Sequence, residues 1–312
     1  MDLTPVKLIP AFKDYLWGGT KLKTQFGKKS ELEKVAESWE LSAHKDGQSI
    51  IADGTFAGCT LSDYISRNGK DCIGKDALAF DFFPILIKFI DAADNLSVQV
   101  HPDDEYALKN EGEYGKTEVW YVLSCEEGAC LYYGFNRSIT KAELEERIEN
   151  NTILEVLNKV PVKEGDVFFI ESGTVHAIGK GMVICEIQQN SNTTYRVYDY
   201  DRRDKNGNSR ELHIEKAVEV ARLTPSENYV SENENVIAKC KYFTAEKLSV
   251  KDCAELAVTT DCFKSVIVTK GNGSLTLSGK TVDFKAGESI FIPAQNGTAE
   301  IKGCCELIVS YV

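Results

Sequence analysis

One internal repeat restricts the fold of this chain more than any other feature of its sequence. The two copies span residues 165–178 and 287–300. Each copy contains a glycine followed by an acidic residue, an apolar run, a turn and a second run. Apolar runs of this length between turn signals are typical of β-strands. The repeat therefore predicts two β units of the same kind, one ending near the middle of the chain and one at its end.

The spacing within each copy resembles the second sequence motif of the cupins, in which glycine, proline, glycine and histidine recur at fixed intervals. The first copy keeps both glycines and His176 but has Glu171 at the proline position, whereas the second keeps Pro293 but has Thr298 at the histidine position. The resemblance implies a mainly β protein made of two tandem cupin (jelly-roll) β-barrels with a few peripheral helices. It also implies that only the first barrel binds a metal.

Helical and polar stretches suggest where the two units meet. Helical periodicity is restricted to three stretches, at 61–66, 140–157 and 212–222. A polar stretch with little to bury, 224–235, follows the third of them. We therefore predict that residues 1–225 form a metal-binding catalytic cupin domain with N-terminal strands and helical segments. Residues 236–312 then form a second, degenerate cupin domain without metal ligands.

The composition restricts which kinds of molecule the protein is expected to bind. With 312 residues, 43% of them hydrophobic and 27% charged, the chain is typical of a globular protein of one large or two ordinary domains. Its net charge of −12 argues against nucleic-acid or anionic-membrane partners. The N-terminus does not resemble a signal peptide, and the longest apolar stretch, 82–90, is too short to span a bilayer. The ten cysteines include no CxxC pair, which favours reduced thiols and a cytoplasmic protein.

A row of polar side chains lies on the strand predicted for residues 96–101. Apolar and polar residues alternate there, so Ser97, Gln99 and His101 share one face, while Leu96 and the other apolar residues share the opposite face. Burying the polar row without partners would cost roughly 1–3 kcal/mol per group, so the face needs a polar neighbour. An imidazole and an amide beside the carboxylate of Glu118, which begins another predicted strand, are typical of a metal site.

His176, from the first copy of the repeat, adds a fourth candidate ligand to Gln99, His101 and Glu118. The chain contains only four histidines, and two of them fall where a cupin barrel holds its metal. Because Gln99 stands where many cupins have a further histidine, the set differs from the three-histidine sites that bind redox-active iron or manganese. Zinc, a Lewis acid without redox chemistry, fits better. A metal-dependent oxygenase is therefore disfavoured.

A second group of charged residues follows His176 in the sequence. Glu186 lies on a predicted strand and shares one face with Ile184 and Gln188, and Arg196 lies in the segment 190–203 that follows this strand. A carboxylate and a guanidinium near a Lewis acid can move a proton and stabilise a developing oxyanion. A surface ion-pair network is the alternative interpretation of these two charges.

Several sequence blocks are similar to the signatures of class I mannose-6-phosphate isomerases. The similar blocks are 15–19, 36–42, 96–104, 115–121, 173–178, and 185–191 with 194–199. The resemblance runs from about residue 10 to residue 205, and the chain has the length of the short bacterial form of this family.

The resemblance implies a role for each candidate site residue. The zinc ligands of the family, which bind one ion per chain, match Gln99, His101, Glu118 and His176. Its catalytic arginine, lysine and acid match Arg196, Lys116 and Glu186. Its substrate-binding residues match Ser97, Lys116 and Arg196.

The function implied is that of a zinc-dependent aldose–ketose isomerase, which interconverts mannose 6-phosphate and fructose 6-phosphate through a cis-enediol intermediate. The expected partner is thus a small sugar phosphate, and the oligomeric state stays open. Glu186 is the candidate proton shuttle, with a water on the metal or His101 as alternatives. Arg202, Arg203 and Lys88 are candidates for contacting the phosphate. A non-catalytic zinc cupin that senses sugar phosphates is the alternative function, but the acid–base and cationic residues beside the ligands favour an enzyme.

Overall fold

The computed structural model describes residues 2–203, 206–227, 229–231 and 233–312, so residues 228 and 232 of the predicted joint lie outside the described part. The strands before the first repeat copy are β1 (Val6–Ile9), β2 (Ala11–Lys13), β3 (Glu37–Leu41), β4 (Ala43–His44), β5 (Gly47–Gln48), β6 (Ile50–Ile51), β7 (Ile85–Ala92), β8 (Val98–Val100), β9 (Glu118–Cys125), β10 (Cys130–Phe135) and β11 (Leu157–Pro161). The later strands are β12 (Val167–Ile170), β13 (His176–Ala177), β14 (Met182–Gln189), β15 (Tyr195–Tyr198), β16 (Val236–Lys239), β17 (Thr244–Val250), β18 (Cys253–Val258), β19 (Lys264–Leu277), β20 (Lys280–Lys285), β21 (Ser289–Ile292) and β22 (Gly297–Tyr311).

The helices are short and lie between the strands. They are α1 (Lys21–Thr24), α2 (Leu61–Asn68), α3 (Lys75–Leu78), α4 (Asp104–Asn110), α5 (Lys141–Glu149) and α6 (Ile214–Val220), with 3₁₀ helices at Lys70–Ile73 and Ile153–Glu155. Two of the three predicted helical stretches are confirmed by α2 and α6. The prediction for 140–157 is wrong beyond α5, because Asn151 adopts a left-handed φ of 57° and the chain soon enters β11.

Two antiparallel sheets form the first β unit. One has the strand order β12-β9-β14-β7-β3-β2 and the other the order β11-β10-β13-β8-β15. Large apolar side chains from both sheets, among them Trp120, Ile184 and Leu131, pack in the space between them. This arrangement confirms the mainly β, jelly-roll prediction for the first half of the chain.

The second β unit is built around the long strands β19 and β22. Its sheet contains the order β17-β22-β19-β21, while β18 and β20 pair with the far ends of β22 and β19. Its interior is filled by aliphatic residues such as Val266, Leu275 and Val309. The N-terminal strands β1 and β6 also join this sheet, because β1 pairs with β21. The boundary between 1–225 and 236–312 stays a prediction.

The two copies of the repeat have the same local geometry. Gly165 and Gly287 begin them with φ values of 87° and 88°, a conformation that favours glycine. The acidic residue that follows each glycine, Asp166 or Glu288, accepts a hydrogen bond from the backbone N–H three residues earlier, at 2.9 and 3.0 Å. The equivalence read from the sequence is therefore a structural equivalence between β12 and β21.

The alternation predicted for residues 96–101 is correct for the strand itself. Val98 and Val100 pack on the outer face of the five-stranded sheet, opposite the polar residues. The prediction for Leu96 is wrong, because this residue precedes the first residue of β8 and packs in the core between the two sheets. Strand periodicity does not apply outside the paired segment.

Two further observations concern the chain as a whole. All ten cysteines are free thiols, and four of them are buried. In the described part of the chain, each helix is too short or too polar to traverse a lipid bilayer.

Candidate active site

Strand pairing brings the four predicted ligands together between the two sheets of the first unit. Gln99 on β8 lies opposite His176 on β13 in the five-stranded sheet, and Glu118 begins β9 in the facing sheet. His101 follows the end of β8. One ligand atom from each of His101, Glu118 and His176 lies within 4.8 Å of the others, and all three residues are buried.

The distances between these side chains fit a single metal ion. Glu118 Oε1 lies 3.4 Å from His176 Nε2 and 3.8 Å from His101 Nε2. The side-chain amide nitrogen of Gln99 donates a hydrogen bond to His176 Nε2 at 3.3 Å, which brings the Gln99 amide group to the same point. Tetrahedral bonds of about 2.05 Å to zinc would separate two donor atoms by about 3.3 Å. His101 Nε2 and Glu118 Oε1 are buried without a hydrogen-bond partner among the described residues. Buried polar atoms of this kind are usually satisfied by a ligand or ion, and this donor set suits a borderline cation.

Backbone carbonyl groups fix the protonation of both imidazoles. His101 Nδ1 lies 2.9 Å from the carbonyl oxygen of Thr193, and His176 Nδ1 lies 2.8 Å from that of Thr174. A carbonyl only accepts, so each Nδ1 carries the proton and each Nε2 presents its lone pair. Burial also lowers the pKa of His176 to about 4 and the pKa of His101 well below its usual value. Both rings are therefore neutral at pH 7.

A buried row of alternating charges extends from Glu118 along the sheet. Lys116 Nζ lies 2.9 Å from Glu118 Oε2 and 3.6 Å from Glu186 Oε1, and Lys88 Nζ lies 3.5 Å from Glu186 Oε1 and 3.7 Å from Glu37 Oε2. Three carboxylates thus face two ammonium groups. The row carries an excess of negative charge, as expected beside a cation site.

The pKa values in this row have identifiable causes. Burial, together with the Glu186 carboxylate, raises the pKa of Glu118 to about 7. Burial opposes ionisation of Glu186 as well, but Lys116 and Lys88 outweigh it and lower the pKa of Glu186. Burial likewise opposes the charge on Lys116, yet the two neighbouring carboxylates raise its pKa. Glu186 and Lys116 are therefore both charged at neutral pH.

A cavity of about 250 Å³ opens in front of these residues. Gln99, Lys116 and Glu186 line one part of it, and Ser97 and Arg196 line another. Arg196 Nε donates a hydrogen bond to Ser97 Oγ at 3.2 Å, which fixes the guanidinium at the cavity wall. The structure thus places all eight predicted site residues in or directly behind one cavity.

The candidate phosphate contacts do not lie together. Lys88 lines the cavity, whereas Arg202 and Arg203 are not among its described lining residues. Arg202 donates to the carbonyl of Asn95 at 2.6 Å and pairs with Asp199 at 2.5 Å. Arg203 donates to the carbonyl of Gly207 at 3.0 Å in an exposed loop.

Sequence reasoning missed two charged residues that line the cavity, Glu37 and Arg210. Glu37 accepts a hydrogen bond from the indole of Trp39 at 2.6 Å. It shares its five-residue strand with Ser38 and a second acid, Glu40, so its sequence context does not distinguish it. Arg210 is held by Asp199 through hydrogen bonds of 2.7 and 2.5 Å. No local pattern predicts that contact, because it depends on how a loop folds back.

Comparison with known proteins identifies the family of this chain. The family profile described as "Phosphomannose isomerase type I, catalytic domain" matches residues 6–126, and the profile described as "Mannose-6-phosphate isomerase, cupin domain" matches residues 233–312. The first profile falls on the first β unit and includes the candidate ligands Gln99, His101 and Glu118, and the second falls on the second β unit.

Curated relatives and solved structures match over the whole chain. The mannose-6-phosphate isomerase ManA of Bacillus subtilis is 40% identical, and the alignment covers 100% of both chains. A mannose-6-phosphate isomerase of Streptococcus mutans is 38% identical over 95% of this chain and 94% of its own length. The crystal structure of the mannose 6-phosphate isomerase from Bacillus subtilis superposes with a TM-score of 0.90 at 38% identity, covering 99% of this chain and 100% of that chain. This chain is therefore a member of the type I mannose-6-phosphate isomerases, a family of aldose–ketose isomerases.

Proposed function

We propose that this protein interconverts mannose 6-phosphate and fructose 6-phosphate through a cis-enediol intermediate, with one zinc ion per chain. The observation that carries the proposal is the meeting of Gln99, His101, Glu118 and His176 directly behind a cavity lined by Lys116 and Glu186. A metal site alone would suit a binding protein. A charged acid–base pair beside it suits a proton-transfer enzyme.

The four ligand residues would hold the zinc ion through two imidazole nitrogens, the Glu118 carboxylate and the amide oxygen of Gln99. When bound, the ion would supply a Lewis acid that polarises the oxygens of the sugar. The hydrogen bonds from His101 and His176 to backbone carbonyls would keep both rings in the orientation that ligation requires.

Glu186 is the residue that we propose for moving the proton between C2 and C1. Its Oε1 is buried without a hydrogen-bond partner among the described residues, while Oε2 accepts from the indole of Trp120 at 3.0 Å. The lowered pKa keeps the carboxylate ionised and ready to accept a proton. The same lowered pKa would make protonated Glu186 a comparatively strong carboxylic acid, which favours return of the proton to the sugar.

The cationic residues would stabilise negative charge at two places. Lys116, charged and buried next to Glu186, would neutralise charge that develops on the enediolate oxygens. Arg196 would stabilise the enediolate or the phosphate from the cavity wall, with Ser97 holding its guanidinium. Arg210 adds a second guanidinium to the same cavity, and paired arginines suit a phosphate dianion.

We also propose the wider setting of this activity. Residues 1–225 would form the catalytic domain and residues 236–312 a second cupin domain without a metal. The partner would be a small sugar phosphate in the cytoplasm, and neither nucleic acid nor a membrane would be required. The net charge of −12 supports the absence of polyanionic partners.

A coupled assay on mannose 6-phosphate tests the proposal. The purified protein is measured as isolated, after removal of metal with a chelator, and after addition of one equivalent of zinc. We expect turnover that the chelator abolishes and zinc restores. Absence of turnover in the zinc-loaded protein would instead support a sugar-phosphate sensor. Stoichiometric iron together with oxygen consumption would support an oxygenase.

A further inference from the structure

Glu113 lies in the loop between α4 and β9, outside the row of charges described above, and its side chain is only 16% exposed. Its Oε2 accepts hydrogen bonds from the backbone N–H of Asn192 and from the hydroxyl of Thr193, both at 3.3 Å. The loop before β9 is thereby joined to the loop before β15. Neither contact follows from strand pairing.

The segment that Glu113 holds touches the metal site and the cavity at once. The carbonyl of Thr193 accepts the hydrogen bond from His101 Nδ1 at 2.9 Å, so its position sets the orientation of that ring. Asn192 lines the cavity, and its side-chain amide donates to Asp46 Oδ2 at 2.9 Å. A shift of this segment would therefore move a ligand and a cavity wall together.

The other oxygen of Glu113 is held by two consecutive residues, His44 at the end of β4 and Lys45 in the turn between β4 and β5. Lys45 Nζ lies 2.6 Å from Oε1 and His44 Nε2 lies 3.5 Å from it. His44 Nδ1 accepts from the backbone N–H of Asp46 at 3.1 Å, so Nε2 carries the ring proton and faces Glu113 as a donor. Each oxygen of the carboxylate thus faces donors from a different loop.

We propose that Glu113 is a positioning residue for the metal site: it anchors Asn192 and Thr193 so that the carbonyl of Thr193 holds His101 in its ligating orientation. Residues that support a metal ligand from behind commonly change metal affinity or activity by about 10–100-fold when they are removed. Glu113 acts one step further from the metal than such residues, so we expect its removal to change zinc affinity by an amount near the lower end of this range. The inference rests on the proposed function only in taking zinc as the metal.

The test compares Glu113→Ala with Glu113→Gln and with Lys45→Ala as a matched control. Zinc affinity is measured on metal-free protein by competition with a chromogenic chelator. The visible spectrum of the Co²⁺-loaded protein reports the geometry of the ligands. We expect Glu113→Ala to weaken zinc binding by about tenfold and to alter the Co²⁺ spectrum. Glu113→Gln keeps one oxygen acceptor and should stay within about threefold of wild type.

Lys45→Ala should leave the affinity within about twofold of wild type, because the lysine side chain is 70% exposed and its ion pair is screened. Glu113 lines a second cavity, of about 430 Å³, rather than the apolar core, so its truncation should leave the fold intact. Thr193→Val, which removes only the hydroxyl contact, provides a milder second variant and should weaken zinc binding by about twofold to threefold.

Two results would overturn the inference. One is wild-type zinc affinity in both Glu113→Ala and Thr193→Val. The other is an equal loss in Glu113→Ala and Glu113→Gln, since that would exclude the hydrogen-bond acceptor as the cause. Zinc titration requires no turnover, so a protein that binds zinc but does not isomerise mannose 6-phosphate would refute the proposed function and still decide the role of Glu113.

Discussion

One sheet of the first β unit and the sheet of the second contain four strands in the same order, but the two units bury different side chains. The order β12-β9-β14-β7 in the first corresponds to β21-β19-β22-β17 in the second. The backbone of Val122 exchanges two hydrogen bonds with the first repeat copy, at 2.9 and 3.0 Å, and that of Val268 does the same with the second copy, at 2.8 and 2.9 Å. These two residues are therefore equivalent and fix the alignment of β9 with β19.

Counting along the aligned strands pairs three site residues of the first unit, Glu118, His176 and Glu186, with different residues in the second. Lys264 stands at the place of Glu118, and Thr298 stands at the place of His176. In the first unit, Trp120 lies opposite Glu186. The equivalent pair in the second unit is Val266 opposite Val309, and both valines lie in the aliphatic interior. An ammonium group and two valines offer no lone pair to a metal ion, and the valine pair has no group that could move a proton.

The comparison shows that the fold does not require the charges that the first unit buries. An aliphatic interior is enough to hold the same strands together in the second unit. Buried charges cost free energy of desolvation, so their presence in the first unit is explained by chemistry rather than by stability. The site is thus an addition to a strand arrangement that the second unit forms without it.

Removing a ligand from the first unit should have the largest effect on activity. We expect His176→Ala to lose bound zinc and to lower kcat by on the order of 10³-fold or more, since the Lewis acid and the ligand geometry are lost together. Thr298→Ala, the equivalent change in the second unit, should leave both unchanged. Metal analysis and the coupled assay measure the two properties. A fully metallated, active His176→Ala protein would show that this histidine is not a ligand.

Removing a positively charged side chain from the cavity should impair catalysis without affecting metal binding. We expect Arg196→Ala to lower kcat by on the order of 10²–10³-fold while zinc content stays near that of wild type, because the guanidinium faces the cavity and not the ligands. Arg203→Ala, in an exposed loop, serves as the control and should keep wild-type kcat. Normal turnover by Arg196→Ala would exclude its proposed role.

A charge placed in the second unit should destabilise it rather than create a site. Val309 is 1% exposed, so Val309→Glu would bury a carboxylate without the lysines that accompany Glu186. We expect a loss of about 3–5 kcal/mol in the free energy of unfolding, against about 2 kcal/mol for Val309→Ala. Urea unfolding of both variants measures the difference. Equal losses would mean that the interior of the second unit tolerates charge as the first does.

Much of the site could be predicted from the sequence because its residues follow strand periodicity. Gln99 and His176 lie on strands whose alternation and turn spacing are visible locally. Arg210 could not be predicted, since Asp199 holds it across a loop. Glu37 meets Lys88 only because β3 pairs with β7, and such pairings between distant segments leave no local signal.

The same limit applies to the fold. The repeat predicted two β units, but the pairing of β1 with β21 joins the N-terminus to the second unit, and no local pattern foretells it. The helix α4 was not predicted, although Asp103 caps it by accepting from the backbone N–H of Tyr106 at 2.9 Å. An aspartate followed by acidic residues is a start signal that the end of the preceding strand obscured.

Anomalous diffraction at the zinc absorption edge, from crystals of the zinc-loaded protein, tests the central claim most directly. Our account predicts one strong peak per chain, within bonding distance of Gln99, His101, Glu118 and His176. It predicts no peak near Lys264 and Thr298 in the second unit. A zinc-loaded, active protein whose only peak lies away from His101 and His176 would contradict the account.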